Sequence, residues 1–369
     1  MSNPSILRLL CQKNNVILAI ENYLSLFNNN GSYHIKMKNI RITYLFLLFL
    51  GTCLIHSQNQ DSLNEWKTIE TNGLPLARHE NSFVSIGQNF YLLGGRGLKP
   101  ISIYNVDSHT WTTGSTPPIE IHHFQGVTYN NKIYVIGAMT GKYPYETPLP
   151  HMLIYDASTD TWEKGPEIPK ERRRGSCGVV VDGNSVYMVS GIVDGHNSTH
   201  VPWLDRYDFK TGKWTVLADA PRARDHFQAA IGGGKIYAAG GRNSSYATKQ
   251  TFELTIPEVD VFDIESNIWT TLKESGNIPT ERAGTTSVLH NNQLIVIGGE
   301  SSSQESAHDH VEALHLKTMK WNELQPLNRG RHGTQAIVHK DAIYIAAGCG
   351  NRAGKPELDS LEKLPLKTN

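Results

Sequence analysis

Six tripeptides spread along the chain place chemically capable side chains at matching positions: Arg78-His79-Glu80, Ile121-His122-His123, Arg174-Gly175-Ser176, Arg224-Asp225-His226, Arg282-Ala283-Gly284 and Arg331-His332-Gly333. The third member varies from Glu80 and His123 through Ser176 and His226 to two glycines, and a position that varies between otherwise similar units is free to read a ligand. Glu80, His123 and His226 are residue types for general acid and base work, or for a His-His-carboxylate metal set. The plainer alternative makes them polar lining of a water-filled channel, and no metal or cofactor is expected. The first member is arginine at Arg78, Arg174, Arg224, Arg282 and Arg331. A planar five-donor guanidinium suits two jobs: tying down backbone carbonyls of neighbouring links, or forming a charged collar that takes a ligand carboxylate bidentately. Arg96, Arg242 and Glu300 flank these sites, as do His79, His122 and His332. The expected ligand-binding set is therefore Arg78, Glu80, Arg96, His123, Arg174, Ser176, Arg224, His226, Arg242, Arg282 and Arg331. Glu80, His226 and Glu300 are the candidates for catalysis. The remaining histidines of the long loops, His151, His196, His200, His308 and His310, form no metal-ligand motif and read as solvated.

The elements that position these residues follow from the tryptophans. Trp66, Trp111, Trp162, Trp214, Trp269 and Trp321 recur at spacings of 45, 51, 52, 55 and 52 residues, and Trp203 falls in a loop. Periods of this size mark units that cannot bury their apolar faces alone. Seven residues before five of the tryptophans stands Tyr104, Tyr155, Tyr207, Phe262 or Leu314, which pairs a third strand with a fourth. The second strand of each unit ends in a small-residue pair: Gly94-Gly95, Gly137-Ala138, Ser190-Gly191, Gly240-Gly241, Gly298-Gly299 and Ala347-Gly348. Each unit is thus a four-stranded antiparallel meander, strands a to d, with turn signals such as Asn130-Asn131 and Asn291-Asn292. Strand counting closes the ring, because the first tryptophan lacks three preceding strands and the last glycine pair lacks a following tryptophan. The outer strand at 65–69 completes the blade built from residues 331–366 and removes a free sheet edge.

This combination of glycine pair, aromatic residue and tryptophan resembles the kelch family over about Trp66 to Leu366, which implies an all-β, six-bladed β-propeller. Ala138, Ser190 and Ala347 depart from glycine, and small residues are expected to cost little there. Strand polarity puts the starts of strands a and the b–c loops on one face, where the loops at 139–151, 192–203, 242–258 and 300–311 are long. The resemblance implies a binding module for a glycan or a partner protein on that face. Exported six-bladed members similar to the bacterial N-acetylneuraminate epimerase imply instead a sugar mutarotase. In that case Arg224 or Arg282 anchors the acid, and Glu80, Glu300 or His226 moves the proton. Copper-radical oxidases resembling galactose oxidase need a cysteine-linked tyrosine and a Tyr-His pair. Cys177 is followed in the next unit by Arg224-Asp225-His226-Phe227, without a tyrosine, so that chemistry is rejected.

Lys plus Arg equals Asp plus Glu at 35 each, which leaves no basic excess for a nucleic-acid backbone. Met37, Lys38, Arg41 and the apolar run Ile42 to Ile55 read as a signal peptide over 37–57, too short to span a bilayer. Residues 1–36 are expected to lie upstream of the true start, leaving 58–369 as an exported, monomeric propeller without a transmembrane segment. Acylation at Cys53 is the rival to free export. Two cysteines remain after cleavage, Cys177 and Cys349, too few for a disulfide framework.

Overall fold

The computed structural model describes residues 65–366, so the segments 1–36 and 37–57 and Cys53 lie outside the described residues. Six antiparallel sheets of four strands form the blades of a propeller, and among the described residues the helical content is two single turns, Lys170–Arg172 and Glu274–Gly276. In blade 1, strands a to d are Asn81–Ile86, Asn89–Gly94, Ser102–Asn105 and Thr110–Thr113. Blades 2 to 5 repeat the order over 127–167, 178–216, 230–271 and 286–323. Blade 6 takes Ala336–His339, Ala342–Ala346 and Leu361–Pro365, and its outer strand is Lys67–Thr68 from the other end of the chain. Lys67 pairs with Lys363 and Thr68 with Glu362, which is the closure expected from strand counting.

The seven-residue spacing has a direct cause. Tyr104 lies opposite Trp111 across a c–d hairpin, as do Tyr155 and Trp162, Tyr207 and Trp214, and Phe262 and Trp269. Their ring centroids are 5.1 to 5.3 Å apart, the separation of a favourable aromatic pair on one face of a sheet. Each hydrophobic cluster joins two adjacent blades. Phe83 and Phe90 of blade 1 pack with Tyr344 and Ala346 of blade 6, for example, so no blade buries its apolar face by itself.

Strands a line the central channel side by side. At the upper end of each, the chain turns through a left-handed residue, and all six occupy the variable third position: Glu80, His123, Ser176, His226, Gly284 and Gly333 have φ between 50° and 65°. A circle of hydrogen bonds runs through them. The N–H groups of His123, Ser176, Gly284 and Gly333 donate to the carbonyls of Glu80, His123, His226 and Gly284, respectively. The His226 N–H donates to Ser176 Oγ, and Asn81 N–H closes the circle on Gly333 O. Only glycine takes this conformation freely. Each of the four side chains held there therefore costs about 1–2 kcal/mol, a strain that the surrounding ring must impose.

The small-residue pair is also conformationally demanding. Its first member has positive φ in every blade, including Ser190 at 51° and Ala347 at 59°. These two departures from glycine are strained, contrary to the expectation that small size alone would suffice. Ala138, a second member, lies outside the left-handed region, although the second members of the other five blades, Gly95, Gly191, Gly241, Gly299 and Gly348, all have positive φ.

Candidate functional site

The five arginines do not form a collar. Arg78, Arg174, Arg224, Arg282 and Arg331 are wholly buried, and their guanidiniums bond within the blade the arginine opens and, for Arg78, Arg174, Arg282 and Arg331, to the carbonyl two residues back in their own d–a link. Each reaches the carbonyl 16 residues ahead, at the first member of the small-residue pair: Gly94, Ser190, Gly240, Gly298 and Ala347. Four of them also meet a carboxylate on strand c. Arg174 reaches Asp205 at 2.6 Å, Arg224 reaches Asp260 at 2.6 Å, Arg282 reaches Glu312 at 2.6 Å, and Arg331 reaches Glu362. Arg78 uses Ser102 Oγ at 3.2 Å instead. Blade 2 has Ile121 at this position and Leu153 opposite, packed together in an apolar cluster, so arginine and carboxylate are absent together. The carbonyl-binding role is thus met within each blade. Contact with the neighbour runs through the backbone, where the carbonyls of Ile121, Arg224, Arg282, Arg331 and Arg78 accept from the second small residue of the preceding blade.

The middle residue of the tripeptide bridges to the residue just after the small pair: His122 to Met139, Gly175 to Ile192, Asp225 to Arg242, Ala283 to Glu300 and His332 to Cys349. This single pair of backbone contacts raises Arg242 and Glu300 above the left-handed circle. The b–c loops then fold inward. Hairpins at Met139–Thr140 with Thr147–Pro148 and at Ile192–Asp194 with Ser198–His200 carry Glu146 and His196 over the mouth. Blade 6 has a long loop as well, 347–360, beyond the four expected, and it supplies Ala353, Gly354 and Lys355. The result is a cavity of about 590 Å³ at the channel mouth, with Glu80, His123, His196, His226 and His332 among its lining and Phe252 and Tyr143 on its walls.

Glu80 is central. Its carboxylate stands 3.5 Å from His123 Nε2 and 3.9 Å from His332 Nδ1. A Cβ on Gly333 would lie 2.8 Å from Glu80 Oε1, so glycine there makes room for the carboxylate. Burial pushes the Glu80 carboxyl up, while the nearby His226, His332 and His79 pull it down by more, so that it lies below the usual carboxylate range. His332 donates from Nε2 to the carbonyls of Asn351 and Ala353 at 2.9 Å, and Glu300 lies 3.4 Å behind the same atom. Glu300 is bound to Arg242 at 2.7 Å, and Arg242 stacks on Phe252 with 5.1 Å to the ring centroid. Burial raises Glu300, yet His332, Arg242 and the Ala353 N–H hold it down at about 2.

Three histidines converge beside Glu80. His123, His196 and His226 each present a ring nitrogen within 4.8 Å of the others, and all three are buried. His226 Nδ1 donates to Asp225 Oδ2 at 2.9 Å, and His196 Nδ1 donates to Glu146 Oε2 at 3.0 Å. Arg96 holds the other oxygen of Glu146 at 2.5 Å. His122 and His123 meet Nδ1 to Nδ1 at 2.6 Å, and His122 Nε2 donates to Gly141 O at 3.1 Å. Burial, then the nearby His122, pushes His123 well below the usual imidazole range. Burial pushes His196 down too, against the pull of Glu146.

Of the expected residues, the structure brings together Glu80, His123, His226, Arg96, Arg242 and Glu300 at one mouth, with Ser176 Oγ 3.2 Å from His226 Nδ1. The five arginines are excluded from it. His196, expected to be solvated, is buried at the centre of the site. His308 is also buried, bonded to Ser301 Oγ at 2.8 Å outside the site. Glu146 was not anticipated, because nothing in its loop repeats from blade to blade. Cys177 and Cys349 are free and buried, and burial pushes the Cys177 thiol up to about 11.

Comparison with known proteins agrees with the architecture. The model of the KLHDC2/KLHL20/DRC7 Kelch-repeats domain matches residues 52–241 and 165–348. The Kelch-like protein terF of Aspergillus terreus is 28% identical over 340 residues, covering 86% of this chain and 72% of that protein. Human Kelch-like protein 23 is 25% identical over 281 residues, 74% of this chain, and the match takes in 46% of its length. Among solved structures, one described as the structure of YjhT superposes with a TM-score of 0.67 at 15% identity, covering 79% of this chain and 95% of the other; at that identity the likeness concerns fold. With the matched repeats spanning most of the six blades, the chain belongs to the kelch-repeat family.

Proposed function

We propose that the channel mouth binds a small polar molecule of the sugar or sugar-acid class and moves a proton on it. Glu80 is the accepting group, and His332, with Glu300 behind it, is its counterpart. The observation that carries this reading is the buried Glu80 carboxylate standing 3.5 and 3.9 Å from two imidazole nitrogens in the cavity at the channel mouth. About 590 Å³ suits a small molecule, since such sites measure roughly 300–1,000 Å³. Phe252 and Tyr143 offer flat apolar faces against which a sugar ring can lie, and Arg96, Arg242 and Lys355 supply positive charge for an acidic substituent.

The test is proton–deuterium exchange, followed by NMR, on a panel of reducing sugars and sugar acids that includes sialic acid. Exchange or mutarotation above the uncatalysed rate is expected, falling at least a hundredfold in Glu80→Gln, the scale of a general base. If no member of the panel exchanges faster than in buffer, or if Glu80→Gln matches the parent, the proton-transfer reading fails.

A second reading, a platform for a glycan chain or partner protein, draws on exposed aromatics at the rim. Tyr143 and Tyr246 lie 5.7 Å apart and Tyr145 and Tyr246 6.2 Å apart. A glycan array separates the two, because a platform binds extended chains and tolerates Glu80→Gln. Export remains part of the proposal on the strength of residues 37–57. No helix among the described residues is long and apolar enough to cross a membrane.

A further inference from the structure

We infer that His123, His196 and His226 bind a divalent first-row transition metal through their Nε2 atoms, at the axis of the channel mouth. The inference shares the cavity with the proton-transfer reading but does not rest on it.

Hydrogen-bond accounting leads there. The Nδ1 of His226 faces the Asp225 carboxylate, an acceptor, so Nδ1 carries the proton and Nε2 of the neutral ring is a lone pair. The Nδ1 of His196 faces the Glu146 carboxylate with the same consequence. These two Nε2 atoms are 3.0 Å apart, so with both rings neutral two lone pairs meet at hydrogen-bonding distance. His123 reaches the same state by a longer route. His122 Nε2 donates to Gly141 O, which makes His122 Nδ1 an acceptor. His123 Nδ1 must then donate across the 2.6 Å contact, leaving its Nε2 as a lone pair that faces Glu80 Oε2 at 3.5 Å. Three imidazole lone pairs and one carboxylate thus converge in a buried space where each repels the others. A cation turns that repulsion into binding.

The spacing agrees. A metal with Zn–N-like bonds of about 2.1 Å sets its ligand nitrogens about 3.0–3.4 Å apart. His196 and His226 already stand at 3.0 Å, and the full set lies within 4.8 Å, so His123 must close by about an ångström. The carboxylates behind His196 and His226 complete the arrangement in which an outer acceptor fixes the tautomer and raises the basicity of a ligating imidazole. Three neutral imidazoles favour zinc, iron, cobalt, nickel or copper over calcium or magnesium. Three protein ligands leave a position open toward Glu80 and the cavity, as a site that takes up a polar ligand requires.

The test uses the full chain, stripped of metal by chelation, and titrates it with cobalt(II) or zinc alone, without substrate. Cobalt(II) is expected to bind at one equivalent and to develop visible d–d bands of nitrogen coordination. His196→Ala and His226→Ala should each weaken binding at least a hundredfold, and Glu146→Gln, which leaves all three ligands in place, tenfold to a hundredfold. Circular dichroism and thermal melting keep a folding defect apart from a lost ligand. His308→Ala, whose histidine is buried outside the cluster, should bind cobalt as the parent does. Absence of d–d bands in the parent, or binding unchanged in both His196→Ala and His226→Ala, overturns the site. Since metal is read without substrate, loss of cobalt binding with sugar exchange intact rejects the metal alone, and the converse rejects proton transfer alone.

Discussion

Two positions lie two residues apart at the top of every blade, and they do opposite work. At the first, five arginines point into their own blades and tie strand b, the b–c loop and strand c together. At the second, Glu80, His123, Ser176 and His226 sit in a left-handed conformation that glycine would occupy at less cost, and three of the four line the mouth beside His196. The repeated position holds the fold. The strained, varied position carries the chemistry. A propeller separates the two functions because closing the ring fixes the circle of backbone hydrogen bonds whatever side chains it bears, and stability lost at four left-handed residues is recovered in six inter-blade cores.

Removing an arginine is the largest expected perturbation of that contrast. Arg282→Ala leaves Glu312 buried without its cation and three carbonyls short of a donor, and should cost about 3–5 kcal/mol in a denaturant titration. Cobalt binding and sugar exchange should survive at temperatures where the variant is folded. Blade 2 sharpens the point. Its Ile121 and Leu153 show that an apolar pair can replace the ion pair, so Arg174→Ile with Asp205→Leu should cost several kcal/mol less than the sum of the two single changes. Additive costs in that double-mutant cycle would mean the arginine is valued for its carbonyl contacts rather than its partner carboxylate.

Next in size is Gly333→Ala. Its Cβ would meet Glu80 Oε1 at 2.8 Å and occupy a φ of 63°, so a loss of about 1–2 kcal/mol should accompany a displaced Glu80 and a fall in any exchange activity. Smallest are Ser190→Gly and Ala347→Gly, which relieve left-handed strain away from the mouth and should raise stability by up to about 1 kcal/mol with no functional change. A thermal melt reads both.

The blades were legible from residue types and spacing, since Tyr104 with Trp111 and its counterparts state a c–d hairpin that the pairing register reproduces. The closure by Lys67–Thr68 followed from strand counting alone. The arginine role was half legible. Asp205, Asp260, Glu312 and Glu362 each precede the strand c aromatic or leucine by two residues, a periodic partner that marks the struts once it is noticed. His196 and Glu146 could not be seen. They belong to hairpins of unequal length, and only the inward fold of those hairpins brings His196 to His226 and Glu146 to Arg96. The metal cluster was hidden for the same reason, as one of its three members looked like an ordinary loop histidine.

The division of labour is tested most directly by cobalt(II) affinity in two folded variants measured side by side, Arg282→Ala and His226→Gly, with denaturant unfolding as the companion axis. Arg282→Ala should lose several kcal/mol of stability and keep the parent affinity, whereas His226→Gly should lose less stability than Arg282→Ala, because glycine relieves left-handed strain that partly offsets the donor lost to Asp225, and lose cobalt binding at least a hundredfold. The opposite pattern, an Arg282→Ala that stays stable but no longer binds, or a His226→Gly that binds as before, would contradict the account.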